Sequence, residues 1–154
     1  VRSVFQQSHM DKLTGNYGVG HVRYPTAGGA GKEFAQPMYV NSPYGISLAH
    51  NGNLTNSESL ANELFHAEMR HLNTDSDSEV LLNIFAHELG KQREIFPKPD
   101  HIFQAISKTH RRCDGAYAVI ALITGFGLLA FRDTNGIRPL VIGTRKGKSR
   151  ENQN

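Results

Sequence analysis

A single cysteine, Cys113, among 154 residues excludes an internal disulfide framework and fits a reducing compartment, so a cytoplasmic location is expected. No stretch approaches the roughly 18 consecutive apolar residues of a membrane-spanning helix. The longest apolar run, Ala116 to Ile123, reads instead as a buried strand. The opening, Val1-Arg2-Ser3-Val4-Phe5, has neither an initiator methionine nor a basic stretch leading into an apolar one. No targeting segment is therefore visible, and the sequence reads as starting inside a longer protein. The formal charge is only +3, and much of the excess sits in Arg145, Lys146, Lys148 and Arg150. So short a cluster is a solvated tail, so neither nucleic acid nor membrane is expected as a partner.

What remains is ordinary for one globular domain: 38% hydrophobic and 20% charged residues, with 15 glycines and 6 prolines marking loops. Tyr17 to Tyr24, Gln36 to Asn41 and Gly45 to His50 have the β-branched and aromatic content of strands, bounded by turn-formers. After Asn51-Gly52-Asn53 the apolar period changes to 3.6, with Leu60, Ala61, Leu64, Phe65 and Met69 on one face and Thr55 and Glu58 as a capping box. A second capping box, Ser76 and Glu79, opens a helix with Leu81, Ile84, Phe85 and Leu89 inward and Gly90 at its stop. A third helix is expected from about Asp100 to Arg112, with Ile102, Phe103 and Ile106 as its stripe. Strands then return: Ala116 to Ile123, covered on both faces, a turn at Thr124-Gly125-Phe126-Gly127, Leu128 to Arg132, and Pro139 to Gly143 after Asp133-Thr134-Asn135-Gly136. Connections this short cannot make parallel crossovers, so the class is α+β with mainly antiparallel sheets.

Three segments place polar groups where elements end. Arg23 offers a planar fork of donors suited to a carboxylate, and Thr26 a hydroxyl close by; Asp77, in the first turn of a helix, offers the complementary charge for an ammonium group. Asn51 and Gly52 can supply a side-chain amide and an unobstructed backbone N–H, the makeup of an oxyanion hole. Taken singly, each has a plainer reading: a surface ion-pair residue, a helix-start acid, an Asn-Gly turn. The run Gly28-Gly29-Ala30-Gly31 is too glycine-rich to order itself cheaply and reads as a loop able to move.

Together, Gly20-His21-Val22-Arg23-Tyr24-Pro25-Thr26, Ala49-His50-Asn51-Gly52-Asn53-Leu54 and Thr74 to Glu79 resemble the glutamine amidotransferase domain of the N-terminal-nucleophile hydrolases, a four-layer αββα sandwich. Tyr39 to Ile46 and Asn135-Gly136-Ile137-Arg138-Pro139-Leu140 resemble the amidophosphoribosyltransferase branch in particular. The resemblance covers residues 1–143 as a partial type-2 amidotransferase domain and leaves 144–154 as a basic polar tail. It implies that Arg23 and Thr26 bind the glutamine α-carboxylate, that Asp77 binds the α-amino group, and that Asn51 and Gly52 stabilise the oxyanion. It also implies that the loop around Tyr24, Gly28, Gly29 and Gly31 closes over glutamine when phosphoribosyl pyrophosphate is bound. The implied overall reaction makes phosphoribosylamine, glutamate and pyrophosphate from phosphoribosyl pyrophosphate and glutamine, the first step of purine synthesis, in a protein expected to be a homo-oligomer.

The sequence also departs from that pattern. The resemblance puts the nucleophile, a cysteine at the mature N-terminus, in sequence ahead of Val1, together with the first strands. These residues alone are therefore expected to be inactive. The phosphoribosyltransferase domain, where magnesium would be expected, is likewise not among them, and no cofactor or metal is expected here. Thr134 stands where the family often has proline. Cys113, beside Arg111 and Arg112, reads as a structural thiol rather than a substitute nucleophile. His66 and His71 are five apart and miss the spacing of two ligands on one helical face. The alternatives are a non-catalytic binding remnant, or the glutaminase domain of a sister enzyme such as glucosamine-6-phosphate synthase, against which the Asn135 to Leu140 segment argues.

Overall fold

The structure, a computed structural model, describes residues 5–22 and 31–145. After a one-turn helix α1 (Gln7–Met10) come strands β1 (Met38–Val40) and β2 (Ile46–Leu54) and helices α2 (Ser57–His66), α3 (Asp77–Gly90) and α4 (Pro99–Arg112). Strands β3 (Gly115–Ile123) and β4 (Gly127–Arg132) complete the order. The strands form one sheet in the sequence β1-β2-β3-β4, every neighbouring pair antiparallel. One helix layer and one sheet layer of the expected αββα arrangement are thus present among the described residues.

Period-two alternation sorts the sheet into two faces. Ile46, Leu48 and Leu54 of β2, Tyr117, Val119, Ala121 and Ile123 of β3, and Leu129 and Phe131 of β4 join the core cluster with the helices. The opposite face leaves Tyr39, Ile120 and Leu128 exposed. Among the described residues β3 is therefore not covered on both sides as its continuous apolar run suggested; Ala118, Ile120 and Leu122 look outward. α3 is the central helix. Val80, Leu81, Leu82, Ile84, Phe85, Ala86 and Leu89 are all buried, more than one stripe of its surface. Each such large side chain contributes about 1.5–3 kcal/mol by leaving water.

Local chemistry explains where the elements begin. Ser76 caps α3 through its hydroxyl, which accepts the Ser78 N–H, but Glu79 does not close a reciprocal box. Its carboxylate takes the backbone N–H groups of Asn73 (2.8 Å) and Thr74 (2.7 Å) and both side chains, pinning the loop that leads into the helix. Burial would raise the Glu79 pKa, yet these donors hold it below the usual carboxylate value. The Thr55 and Glu58 box does not form: Thr55 gives its N–H to the Asp114 carbonyl, and α2 starts after Asn56, whose side chain bridges to Arg112 and Asp114.

Other expectations fail for equally physical reasons. α2 stops at His66, so Met69 lies past the helix and is exposed, while Phe65 turns outward against His66 and His71. Phe103 of α4 is also exposed, leaving Ile102, Ala105, Ile106 and Thr109 as the inward stripe. Residues 17–22 and 139–143 form no strand and take no part in the sheet. Pro139 has no N–H to give a ladder, and Val141 and Ile142 bury nothing.

At the back of the helix layer, the Arg112 guanidinium ties three carboxylates together: Glu68 at 2.8 Å, Glu63 at 3.2 Å and Glu88 at 2.7 Å. Glu88 is buried and also holds Lys91 at 2.8 Å. Burial opposes the charge on both groups, but Lys91 and Arg112 together lower the Glu88 pKa, and Glu88, Glu68 and Glu63 together raise that of Arg112.

Candidate functional site

A cavity of about 340 Å³ opens where β2 runs past the end of β1 toward the first turn of α3. Its walls include His21, Gln36, His50, Asn51, Gly52, Asp77 and Arg138. The β1 ladder ends at Met38 opposite Leu48, so from His50 onward the outer edge of β2 has no strand beside it. In an antiparallel ladder alternate residues aim their N–H and C=O groups at the same side. On this edge the His50 N–H goes to Gln36 Oε1 at 2.6 Å and the Leu54 N–H goes to Asp77 Oδ2 at 3.0 Å. Between them, the Gly52 N–H faces the cavity. Tyr117, opposite Gly52 in register, directs its own backbone groups the other way, to Asp133.

Glycine at 52 is dictated by packing as well as by access. Its φ is 147°, and a Cβ there would meet the Ala116 carbonyl oxygen at 2.0 Å. Next to it, the Asn51 Oδ1 lies 3.1 Å from His21 Nε2. The side-chain amide and the backbone N–H that the sequence singled out are therefore adjacent on one cavity wall.

Asp77 sits across from them. One oxygen accepts from Leu54, and the other lies 3.8 Å from His50 Nδ1 while remaining partly exposed to the cavity. His50 itself is held in a ring of hydrogen bonds: its N–H to Gln36 Oε1, Gln36 Nε2 to Ser78 Oγ at 3.1 Å, and Ser78 Oγ to His50 Nδ1 at 2.9 Å. Burial pushes the His50 pKa down; Asp77 opposes this, while Arg138 and His21 add to it. The imidazole Nε2 is buried with no partner among the described residues.

Arg138 reaches the wall because Asp133 shapes the turn beneath it. The Asp133 carboxylate accepts the N–H groups of Ile137 (2.9 Å), Arg138 (3.1 Å) and Tyr117 (3.2 Å). The Ile137 bond is the largest of several causes, with burial opposing, that hold the Asp133 pKa below the usual value. Thr134, where the family often has proline, lies inside this turn without disturbing it.

The structure thus brings Asn51, Gly52 and Asp77 together. Arg23, Tyr24, Thr26, Gly28 and Gly29 lie outside the described residues. Gly31 is described and has φ −67° and ψ 152°, an extended conformation open to any residue, at the start of a short turn of 3₁₀ helix over Lys32–Phe34. The tail beyond residue 145 also lies outside the described residues.

Reading residue types missed Gln36, Ser78, His50, His21 and Arg138 as parts of the site. The last four stand inside the very segments that drew attention, whereas Gln36 carried no signal beyond its place before Pro37. Cys113 is remote from the cavity lining and buried at the end of α4, and burial pushes its thiol up to about 12, overriding the lowering by Arg112. It cannot serve as a thiolate at neutral pH.

Comparison with known proteins gives a consistent picture. Residues 30–150 match the family described as glutamine amidotransferase domain. The amidophosphoribosyltransferases of Pseudomonas aeruginosa and Escherichia coli K12 are 61% and 59% identical to the chain over 145 residues, 94% of this chain and 29% of each of those proteins. That of Saccharomyces cerevisiae is 52% identical over 146 residues, 95% of this chain and 29% of that protein. The chain therefore spans less than a third of the length of these curated relatives. Among solved structures, the glutamine phosphoribosylpyrophosphate amidotransferase of B. subtilis, complexed with ADP and GMP, superposes with a TM-score of 0.61. It is 31% identical, over 81% of this chain and 25% of that one. No helix among the described residues is long and apolar enough to cross a membrane.

Proposed function

Since the chain belongs to the glutamine amidotransferase domain family, we propose that its cavity binds L-glutamine and stabilises the tetrahedral intermediate formed when a thiolate attacks the side-chain amide. The observation that carries this reading is the Gly52 N–H, facing the cavity between two amides already engaged, with the Asn51 amide beside it. Donors fixed in advance around a site of developing negative charge are the arrangement that lowers the barrier to acyl transfer. Asp77 holds the α-ammonium group, and its link to Leu54 fixes its distance from the oxyanion donors. Arg23 and Thr26 take the α-carboxylate, and the loop containing Tyr24, Gly28, Gly29 and Gly31 covers the bound substrate.

In the reaction, the new C–S bond forms as the carbonyl oxygen gains charge; the C–N bond then breaks as the leaving nitrogen takes up the proton that the thiol released, and ammonia departs. Water hydrolyses the thioester to glutamate and restores the thiol. None of the 154 residues is assigned the nucleophile, and a chain of these residues alone is proposed to bind glutamine without hydrolysing it. In the intact protein, the ammonia passes to phosphoribosyl pyrophosphate in an amidophosphoribosyltransferase reaction within a cytoplasmic homo-oligomer. Magnesium, which belongs with that second chemistry, is assigned to no residue here.

Calorimetric titration of the chain with L-glutamine, D-glutamine and L-glutaminamide tests the binding half of the proposal. Selective binding of L-glutamine supports it; equal responses to all three, or none, would overturn it. Hydrolysis of glutamine by the 154-residue chain alone would overturn the assignment of no nucleophile.

A further inference from the structure

We infer that His21 is a positioning residue that sets the direction of the Asn51 side-chain amide, and so whether the oxyanion site has one donor or two. This rests on the proposed role of Asn51. An asparagine amide is a donor at one end and an acceptor at the other, and only Nδ2 can stabilise an oxyanion. Asn51 Oδ1 lies 3.1 Å from His21 Nε2. A carbonyl oxygen only accepts, so Nε2 carries the ring proton and Nδ1 is bare. That Nδ1 is buried with no partner among the described residues.

The opposite arrangement is worse on two counts. Turning the amide over would make Nδ2 donate to Nε2, which moves the ring proton to Nδ1 and strands a buried N–H with nothing to receive it. It would also aim Oδ1 at the developing negative charge. Removing the imidazole releases Asn51 from this constraint. His21 touches Asn51, beside the Gly52 amide, and not Asp77, so the effect falls on the transition state rather than on the groups that hold the amino acid.

Two measurements test this. In the full-length gene product, His21→Leu is expected to lower the glutaminase kcat roughly tenfold, with KM for glutamine nearly unchanged, and His21→Gln, which keeps a side-chain N–H donor, to recover most of it. In the 154-residue chain, ¹⁵N spectra of the imidazole are expected to show the Nε2–H tautomer at His21, a readout that needs no variant and no turnover. An Nδ1–H tautomer, or a His21→Leu enzyme with wild-type kcat beside a crippled Asn51→Ala enzyme, would overturn the inference and leave the oxyanion reading standing. An Asn51→Ala enzyme with wild-type kcat would overturn both.

Discussion

The Asp77 carboxylate accepts the backbone N–H of Leu54 at 3.0 Å, two residues beyond Gly52 on the same strand edge. The group proposed to hold the substrate ammonium is thereby fastened to the strand proposed to hold the oxyanion. Asp77→Asn keeps an oxygen for Leu54 but removes the charge, so the full-length protein should lose glutamine affinity by roughly tenfold or more, with thermal stability nearly unchanged. Asp77→Ala should show the same loss and a further destabilisation of about 1–3 kcal/mol, read by urea titration, because the Leu54 amide loses its acceptor.

Asn51→Ala should act on kcat instead. Removing one oxyanion donor costs on the order of 10²–10³ in rate, and steady-state kinetics should find KM changed far less than kcat. A variant defective mainly in KM would reassign Asn51 to substrate binding.

Gly52→Ala should damage the fold before it damages catalysis. The added methyl would stand 2.0 Å from the Ala116 carbonyl at a φ of 147°. Separation of β2 from β3 or a local twist must follow, costing about 3 kcal/mol or more. Chemical denaturation against wild type measures it, and an unperturbed midpoint would contradict the close approach.

Acid should destabilise the chain in two stages. His50, His87 and His110 all have folded pKa values lowered from 6.5, in each case chiefly by burial. As pH falls through 6.5 the unfolded chain takes up protons first, so stability drops until the lower folded values are reached. Glu79 and Glu88, lowered from 4.5, add stability above that value that is lost as pH falls through their folded pKa values. Urea midpoints should be flat above neutrality, fall below about 6.5 and fall again below about 4.5. His50→Asn should blunt the first stage and spare the second.

Arg112→Ala should destabilise the helix layer by about 3–5 kcal/mol, because Glu88 would remain buried with only Lys91 to balance it. Arg112→Ala combined with Glu88→Leu should recover much of that loss in the same thermal assay.

The sequence revealed most where one physical signal sufficed. α3 follows from apolar period and the Ser76 cap, α4 from apolar period alone, and the β3–β4 hairpin from Thr124-Gly125-Phe126-Gly127. It revealed least where a neighbour decides the outcome. Phe65 and Phe103 fit a helical stripe, yet each falls at its edge, where the layer beneath has ended. Tyr17 to Val22 has strand-forming residues but pairs with no strand of the sheet. The site divides the same way. Asn51, Gly52 and Asp77 carried chemistry in their residue types, whereas Gln36 matters only because its side chain lands opposite His50, a relation set by the register of β1 and β2.

That register has one more consequence. Continuing the pairing of Met38 with Leu48 would set Gln36 across from His50 and Phe34 across from Gly52. A chain that ran straight would thus have closed the Gly52 amide into an ordinary sheet bond. Beyond Met38 the ladder stops, and the Gln36 side chain supplies the acceptor that backbone would have given His50. The proposed catalytic donor is in this sense a dropped stitch: among the described residues, an amide left outside the ladder because the weave stops short. Restoring the missing pair, by an extended peptide laid along the edge, would complete the sheet and silence the site together.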